Sequence, residues 1–233
     1  MNMQAINIIE HPDLKNRMGV FRDRTDAGDF LARMMEGFRK TSAIVLAIPA
    51  GGIPVAARVA IQLELTLDVA VVSKITLPWN TEAGYGAVAF DESMLINDEL
   101  TKRLNLSRRQ IEEGIAETLL KVRRRIRLFR GDRPQPVISD RPAILVDDGL
   151  ASGFTMRVAI QATRKLGASQ VVVAVPTGHL TAVRQIAAEV NLIYCPNIRT
   201  GWSFAVADAY EHWSDVSEED VLEQLTRLQT PKP

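Results

Sequence analysis

Apolar residues follow two rhythms along the chain. Three short unbroken runs, Ala43 to Pro49 (AIVLAIP), Ala143 to Asp148 (AILVDD) and Val171 to Pro176 (VVVAVP), end in proline or aspartate. Such runs read as strands buried on both faces, the condition a parallel sheet imposes. Strands are also expected at 68–72 and 191–195. Between them the spacing turns helical. Ala27, Phe30, Leu31, Met34, Met35 and Phe38 follow one another at 3, 1, 3, 1, 3 and make one apolar stripe. Further helices are expected at about 53–63, at 154–166 ended by Gly167, and at 178–189 behind Thr177 as cap. The alternation predicts an α/β fold: a doubly wound, mainly parallel sheet with helices on both faces, plus a small hood and a long basic helix. Ligands of such sheets bind outside the carboxyl ends of the strands, near the switch point.

Two stretches depart from this rhythm. Residues 86–96 read as a hairpin with a polar turn, and 98–130 as one long helix with a break near Asn105. In that helix Ile115, Leu119, Val122, Ile126 and Phe129 are spaced 4, 3, 4, 3, an apolar seam that must pack on something. Thr76 to Tyr85, with Pro78, Trp79 and Gly84, reads as a loop able to cover a reactive site. Ser217 followed by Glu218, Glu219 and Asp220 reads as the capped start of a final amphipathic helix, with Pro231 and Pro233 in the tail behind it. The expected organisation is one domain over 1–233, with a helical insertion at about 98–133 and a C-terminal hood and helix at about 196–230.

Composition narrows the function classes. At 233 residues, 46% hydrophobic and 24% charged, the chain has a globular balance. Lys plus Arg and Asp plus Glu are 28 each, which argues against nucleic acid as a partner for the body as a whole. Cys195 is the only cysteine, so neither an intrachain disulfide nor a cysteine zinc cluster can form. No apolar run approaches the about 18 residues of a membrane span, and the expectation is a soluble, cytoplasmic protein.

The most informative segment is Ala143 to Arg157, AILVDDGLASGFTMR, where a buried strand delivers two adjacent carboxylates into a small-residue turn before a helix. Asp147 and Asp148 can accept hydrogen bonds from a vicinal diol or hold the water shell of a magnesium ion. Ala151, Ser152, Gly153, Phe154 and Thr155 form a loop whose NH groups and hydroxyls can surround a phosphate at the next helix N-terminus. A diol beside a phosphate is a ribose 5-phosphate. Neither a GxGxxG fingerprint nor a Gly-Lys-Ser/Thr nucleotide loop is present.

This segment resembles the type I phosphoribosyltransferases, whose signature is an apolar strand, two acids and a small-residue loop closing in Thr-Gly-any-Thr. Ser152-Gly153-Phe154-Thr155 occupies the closing position, with Ser for the first Thr. The chain is more closely similar to a branch of predicted phosphoribosyltransferases with no generally assigned substrate. The resemblance runs over Phe21-Arg22-Asp23-Arg24 with Ala27-Gly28, Pro49 to Pro54, Lys74, Gly86 to Ala89, Arg130-Gly131-Asp132-Arg133-Pro134, and Val146 to Met156. It implies binding of phosphoribosyl pyrophosphate with magnesium and displacement of pyrophosphate from the anomeric carbon by a nitrogen base or amine. Asp147 and Asp148 would then hold the ribose hydroxyls, with magnesium held by the ligand's pyrophosphate and by these acids, and 151–155 would hold the 5-phosphate. Ala50, Gly51 and Gly52 would face the pyrophosphate, joined by Lys74 directly after the strand at 68–72 and by Arg24. Apart from the resemblance, Asn197 to Phe204 is a second candidate cover, a hood in which Trp202 or Phe204 could stack on a planar base and Arg199 could add a donor. The branch usually carries Arg where this chain has Ala50 and Ser73.

Rival readings remain at this level. Arg24 can instead pair with Asp23 or Asp26 at the start of its helix. A non-catalytic sensor of phosphoribosyl pyrophosphate is the alternative to the transferase, and another sugar-phosphate enzyme a third class. Ser107 to Arg133 holds nine Lys or Arg against four acids, whereas 208–223 holds seven acids and no Lys or Arg. The helix dipole accounts for this distribution, or a homodimer in which the two regions meet, or a nucleic-acid surface. His11, His179 and His212 lack metal-ligand spacing and are not assigned.

Overall fold

The apolar runs become neighbouring strands in a computed structural model that describes residues 7–131 and 133–229. Asp132, the Pro231 and Pro233 tail and the first six residues lie outside the described residues. The strands are β1 (Ile8–Ile9), β2 (Ile44–Ala47), β3 (Thr66–Val69), β4 (Val72–Leu77), β5 (Asn80–Ala89), β6 (Met94–Ile96), β7 (Pro142–Val146), β8 (Gln170–Ala174), β9 (Thr177–His179), β10 (Leu192–Tyr194) and β11 (Asn197–Arg199). The helices are α1 (Arg24–Met34), α2 (Gly52–Leu63), α3 (Asp98–Arg103), α4 (Arg108–Arg130), α5 (Phe154–Lys165), α6 (Leu180–Ala187) and α7 (Glu218–Gln229).

Six strands lie in the order β1-β10-β8-β7-β2-β3, and every neighbouring pair is parallel. Ile44 to Ala47 and Ala143 to Val146, the centre of the sheet, are at most 1% exposed. Burying one Val, Ile or Leu side chain contributes about 1.5 to 3 kcal/mol, and these strands require cover on both faces. The chain steps from β2 to β3 in one direction and from β7 to β8 in the other, so the switch point lies between β2 and β7. Right-handed crossovers then place α2 and α5 on opposite faces, and α1 packs on α2.

Several expectations are corrected. The strand expected at 68–72 is two strands: the chain leaves the sheet after Val69 and starts a separate antiparallel sheet, β4-β5-β6, at Val72. Ala70 and Val71 between them are fully buried, so hydropathy carries no sign of the change. Lys74 therefore lies within β4, opposite Ala87. The expected covering loop is mostly strand, with Pro78 and Trp79 as the turn between β4 and β5. Its glycines mark irregular register and close packing: a Cβ on Gly86 would stand 2.8 Å from Ile75 Cδ1. Thr177 is not a helix cap. It lies in β9, where its Oγ donates to Asn197 Oδ1 at 2.6 Å, and His179 caps α6.

The break near Asn105 separates α3 from α4, with Asn105 at φ 51° and a reciprocal Ser107–Gln110 capping box. The α4 seam packs on β4 and β5, and Arg130 at its end reaches buried Asp68 at 3.3 Å. The hood is shared between both ends of the chain. β11 pairs with β9, Gly178 of β9 bridges Leu150, and Phe21 NH donates to Ala209 O at 3.0 Å. Phe21, Ala27, Ala209 and Tyr210 form a small second core there.

Arg130→Ala leaves Asp68 buried without its partner and should lower the unfolding free energy by about 3 to 5 kcal/mol. Urea denaturation should show most of that loss recovered in Arg130→Met with Asp68→Asn. A double variant as unstable as Arg130→Ala would show that this pair does not hold α4.

Candidate active site

Parallel pairing of β2 with β7 brings their carboxyl ends level, with Ala47 opposite Val146. Ile48 NH donates to Val146 O at 2.8 Å, so the two following loops also begin side by side. Each loop leads into a helix, α2 or α5, with no acidic residue in the first turn and no side-chain cap. Both helices therefore direct positive N-terminal ends at the switch point, with no acid of their own first turn to offset them. Gly153 begins α5 at φ 73°, a left-handed conformation costly for a residue with a Cβ. Ser152 is exposed, and its Oγ accepts from Phe154 NH at 3.4 Å. In the facing loop the Pro49–Ala50 peptide is cis. A Cβ on Gly51 would stand 2.0 Å from Asp148 Oδ2, so the glycine there lets the loop touch the acid pair.

The two acids differ in setting. Asp147 Oδ1 accepts from Asp148 NH at 2.9 Å. Part of Asp147 reaches solvent through the cleft, yet the surrounding chain desolvates its carboxyl. That burial, then the neighbouring Asp148 carboxylate, push Asp147 well above the usual carboxylate range. Asp148 instead accepts from Arg24 Nε at 2.9 Å, while Arg24 Nη1 donates to Ser214 O at 2.7 Å. The guanidinium lies 3.8 Å from the Trp213 ring centre. Tyr210 OH donates to the Asp148 carbonyl at 2.6 Å. The pairing of Arg24 with Asp23 or Asp26 is thus corrected: Asp23 caps α1 and pairs with Arg22, and Asp26 accepts from Arg22 NH.

A cavity of about 260 Å³ opens where Pro49, Asp147 and Thr155 meet β4. Lys74 and Ser73 line it from β4, and Lys121 and Arg125 line it from α4. Lys121 and Arg125 are not among the sequence-based candidates. Their one signal is position: each stands next to a seam residue, Val122 or Ile126, at the margin of the buried face. The Arg125 side chain is 11% exposed, and burial pulls its guanidinium below its ordinary value while Glu218 opposes the shift. Glu218 Oε1 lies 3.2 Å from Arg125 Nε, at an angle that makes no hydrogen bond. Of the residues expected at the site, only Lys74, Asp147 and Thr155 line this cavity; Arg24, Ala50, Gly51, Gly52, Asp148, Ala151, Ser152, Gly153, Phe154, Trp202 and Phe204 do not. Trp202 is fully exposed, and Phe204 packs edge-on to His179 at 5.8 Å. The Arg199 donors go to Asp208 and Ala205 O. A larger groove of about 460 Å³ among α2, β3 and α7 contains none of the strand-end residues.

A parallel α/β sheet whose switch point joins two open helix N-termini to an acid pair belongs to the class that takes phosphate-bearing ligands at strand ends. The family model of the phosphoribosyl transferase domain matches residues 25–209. Two proteins of Mycobacterium tuberculosis, from strains CDC 1551 and H37Rv, are each 34% identical over 210 residues, 90% of this chain. Both are named, provisionally and without a substrate, as phosphoribosyl transferases. This chain spans about half of their length, 47%. The crystal structure of TT1426 from Thermus thermophilus is 31% identical, with a TM-score of 0.73 over 89% of this chain and 98% of that one. The chain belongs to the phosphoribosyl transferase family.

The raised Asp147 carboxyl has a consequence for stability. Between the unfolded carboxylate value, about 3.9, and its native value, the folded chain binds more protons than the unfolded one, so stability falls as pH rises through that interval. Asp147→Asn keeps the acceptor for Asp148 NH and removes the titration. The ligand-free variant should melt near the parent at about pH 4 and above it at pH 7, with about 2 to 4 °C for each kcal/mol. A difference in melting temperature independent of pH would contradict the burial of this carboxyl.

Proposed function

We propose that the chain binds phosphoribosyl pyrophosphate with magnesium and transfers the 5-phosphoribosyl group to a nitrogen base or amine, releasing pyrophosphate. The observation that carries this reading is the acid pair at a switch point where the loops into two helix N-termini begin side by side. Asp147 and Asp148 accept the ribose hydroxyls, Asp148 through the oxygen not held by Arg24. Ala151 to Thr155 surround the 5-phosphate with NH groups and the hydroxyls of Ser152 and Thr155. Ala50 and Gly51 present NH groups to the pyrophosphate, Gly52, whose NH donates to Ile48 O, lets the loop turn close to it, and Lys74 adds a cation from β4. Arg24 acts through Asp148, which it holds in place. Trp202 and Phe204 lie on the hood side, where a planar acceptor would enter.

In the transfer, the bond from the anomeric carbon to the pyrophosphate oxygen breaks, and a bond from that carbon to the acceptor nitrogen forms. The nitrogen then loses its proton. The chain's part is to orient the sugar and stabilise the departing negative charge. Magnesium, when bound, neutralises the pyrophosphate. The donors fit a shared ion only: Asp148 is already paired with Arg24, and no group of three or more metal-ligating side chains occurs among the described residues. The remaining ligands must be phosphate oxygens and water. The partners in this reading are phosphoribosyl pyrophosphate, a small nitrogenous acceptor and a second copy of the chain, in the cytoplasm. Among the described residues no helix is long and apolar enough to cross a membrane. The charge match suggested for a dimer is met within one chain, where Arg124 reaches Glu218 at 2.7 Å.

Calorimetry with phosphoribosyl pyrophosphate and magnesium should give saturable heat. At 100 times the dissociation constant the ligand should add about 2.7 kcal/mol of stability. Absence of both heat and thermal shift refutes the reading. Incubation with nucleobases and amines should then release pyrophosphate. Tight binding with no release on any acceptor would make the chain a sensor.

A further inference from the structure

We propose that α4 supplies the principal cations for the pyrophosphate group, Lys121 and Arg125, and that Glu218 holds Arg125 while the site is empty of ligand. This deepens the transferase reading and rests on it. The cavity is lined by three cationic side chains, Lys74, Lys121 and Arg125, against one acid, Asp147. The facing loop lines the cavity with Ile48 and Pro49 and brings no charge, because the residue at its corner is Ala50. An occupant with several negative charges in a small volume fits this lining. The cavity, about 260 Å³, lies just under the about 300 Å³ at which small-molecule pockets begin, which suits one end of a larger ligand.

Two orphaned polar groups mark the same place. Ser73 Oγ is buried in a residue 5% exposed and has no hydrogen-bond partner among the described residues. Arg125 Nε is also buried without one. Leaving Ser73 Oγ unpaired costs about 1 to 3 kcal/mol, a cost an anionic ligand would remove, while Arg125 Nε is only poorly satisfied by the Glu218 carboxylate 3.2 Å away. The pairing of α4's other cations sharpens the choice. Arg108, Arg109, Arg123 and Arg130 pair with Glu112, Glu113, Glu92 and Asp68, and Arg124 takes Glu218 at 2.7 Å. Arg127 is exposed and off the cavity. Lys121 makes no ion pair among the described residues, and Arg125 has the angled contact with Glu218 and lies 5.2 Å from the Phe129 ring centre. Lys121 and Arg125 are four residues apart and so share a helix face. That face is fixed over the cavity because the seam beside it packs on β4 and β5.

The test uses the full chain, isothermal calorimetry and three probes: inorganic pyrophosphate with magnesium, ribose 5-phosphate, and phosphoribosyl pyrophosphate with magnesium. Arg125→Gln and Lys121→Gln should each weaken pyrophosphate and phosphoribosyl pyrophosphate by about 10- to 100-fold, the range for a lost charge-assisted hydrogen bond. Ribose 5-phosphate should weaken clearly less than pyrophosphate, since of its proposed contacts only Asp147 and Thr155 line the cavity and the rest of its loop does not. Glu218→Gln should tighten pyrophosphate several-fold by releasing Arg125. Pyrophosphate affinity unchanged in both cation variants, while the parent binds phosphoribosyl pyrophosphate, overturns the α4 proposal and leaves the transferase reading standing. A parent that binds pyrophosphate through these residues but not phosphoribosyl pyrophosphate overturns the transferase reading instead. Loss of all three probes together would mean that the α4 side chains support the fold, and overturns the proposal as well. If Arg125→Gln does not fold, exposed Lys121 and Glu218 carry the same test, and weaker pyrophosphate binding in Glu218→Gln removes its role as stand-in anion.

Discussion

The arrangement depends on one pairing, the parallel register of β2 with β7. Ile44 to Ala47 and Ala143 to Val146 include no residue free to face water, and the strand order follows from the chain reversing direction across the sheet. Because Ala47 stands opposite Val146, the loops that follow are level, and the next hydrogen bond, Ile48 to Val146, prevents either from drifting. A shift by two residues would keep the same faces buried and separate Gly51 from Asp148. The glycine prevents the converse problem, since any side chain there would strike the carboxylate. The cleft is therefore a property of sheet register first and of side-chain chemistry second.

Placing two carboxylates together at such a point is electrostatically unfavourable, and the surrounding structure answers in two ways. Asp147 is pushed toward holding its proton, and Asp148 is given an arginine. Arg24 comes from the start of α1 and is itself held by Ser214 O and the Trp213 face, so three distant segments converge on one acid. Tyr210 adds the link from the hood to the Asp148 backbone. The hood is thus tied to the acid pair through the same residues that make it a small core. A change in the occupancy of Asp148 would be felt there directly.

Much of the sheet and of this site was legible in the sequence, for a physical reason. Strands buried on both faces leave unbroken apolar runs, and a strand end that carries acids into small residues before a helix is a local pattern. β2, β7, β8, the Asp147–Asp148 pair and the Gly153 turn are all features of this local kind. What escaped depends on what lies opposite. The partner of Arg24 is 124 residues away, and the spacing of α1 offers only its neighbours Asp23 and Asp26. The β4–β5 hairpin reads as a loop because glycines that relieve packing look the same in sequence as glycines that turn a chain. Periodicity identifies the buried seam of α4 correctly and is silent on the cavity at its margin, where Lys121 and Arg125 stand.

A chain with 28 cations and 28 anions has no net field with which to draw in a polyanion from a distance. At physiological salt the charges on its surface are screened within about 8 Å, so any preference for a multiply charged ligand must arise at contact. The structure provides that locally. Most of the arginines on α4 are neutralised by glutamates on the same helix or on its neighbours, and these exposed pairs contribute little to stability. Their effect is on distribution: with most of the helix neutralised, the positive charge left without a well-placed acid is Arg127 on the outer face and Lys121 and Arg125 at the cavity wall. There three cations stand around one small volume and can act together on a ligand at contact. Neutral Ala50 is consistent with this division, because the loop that must touch Asp148 then carries no charge of its own to disturb the Arg24 pair.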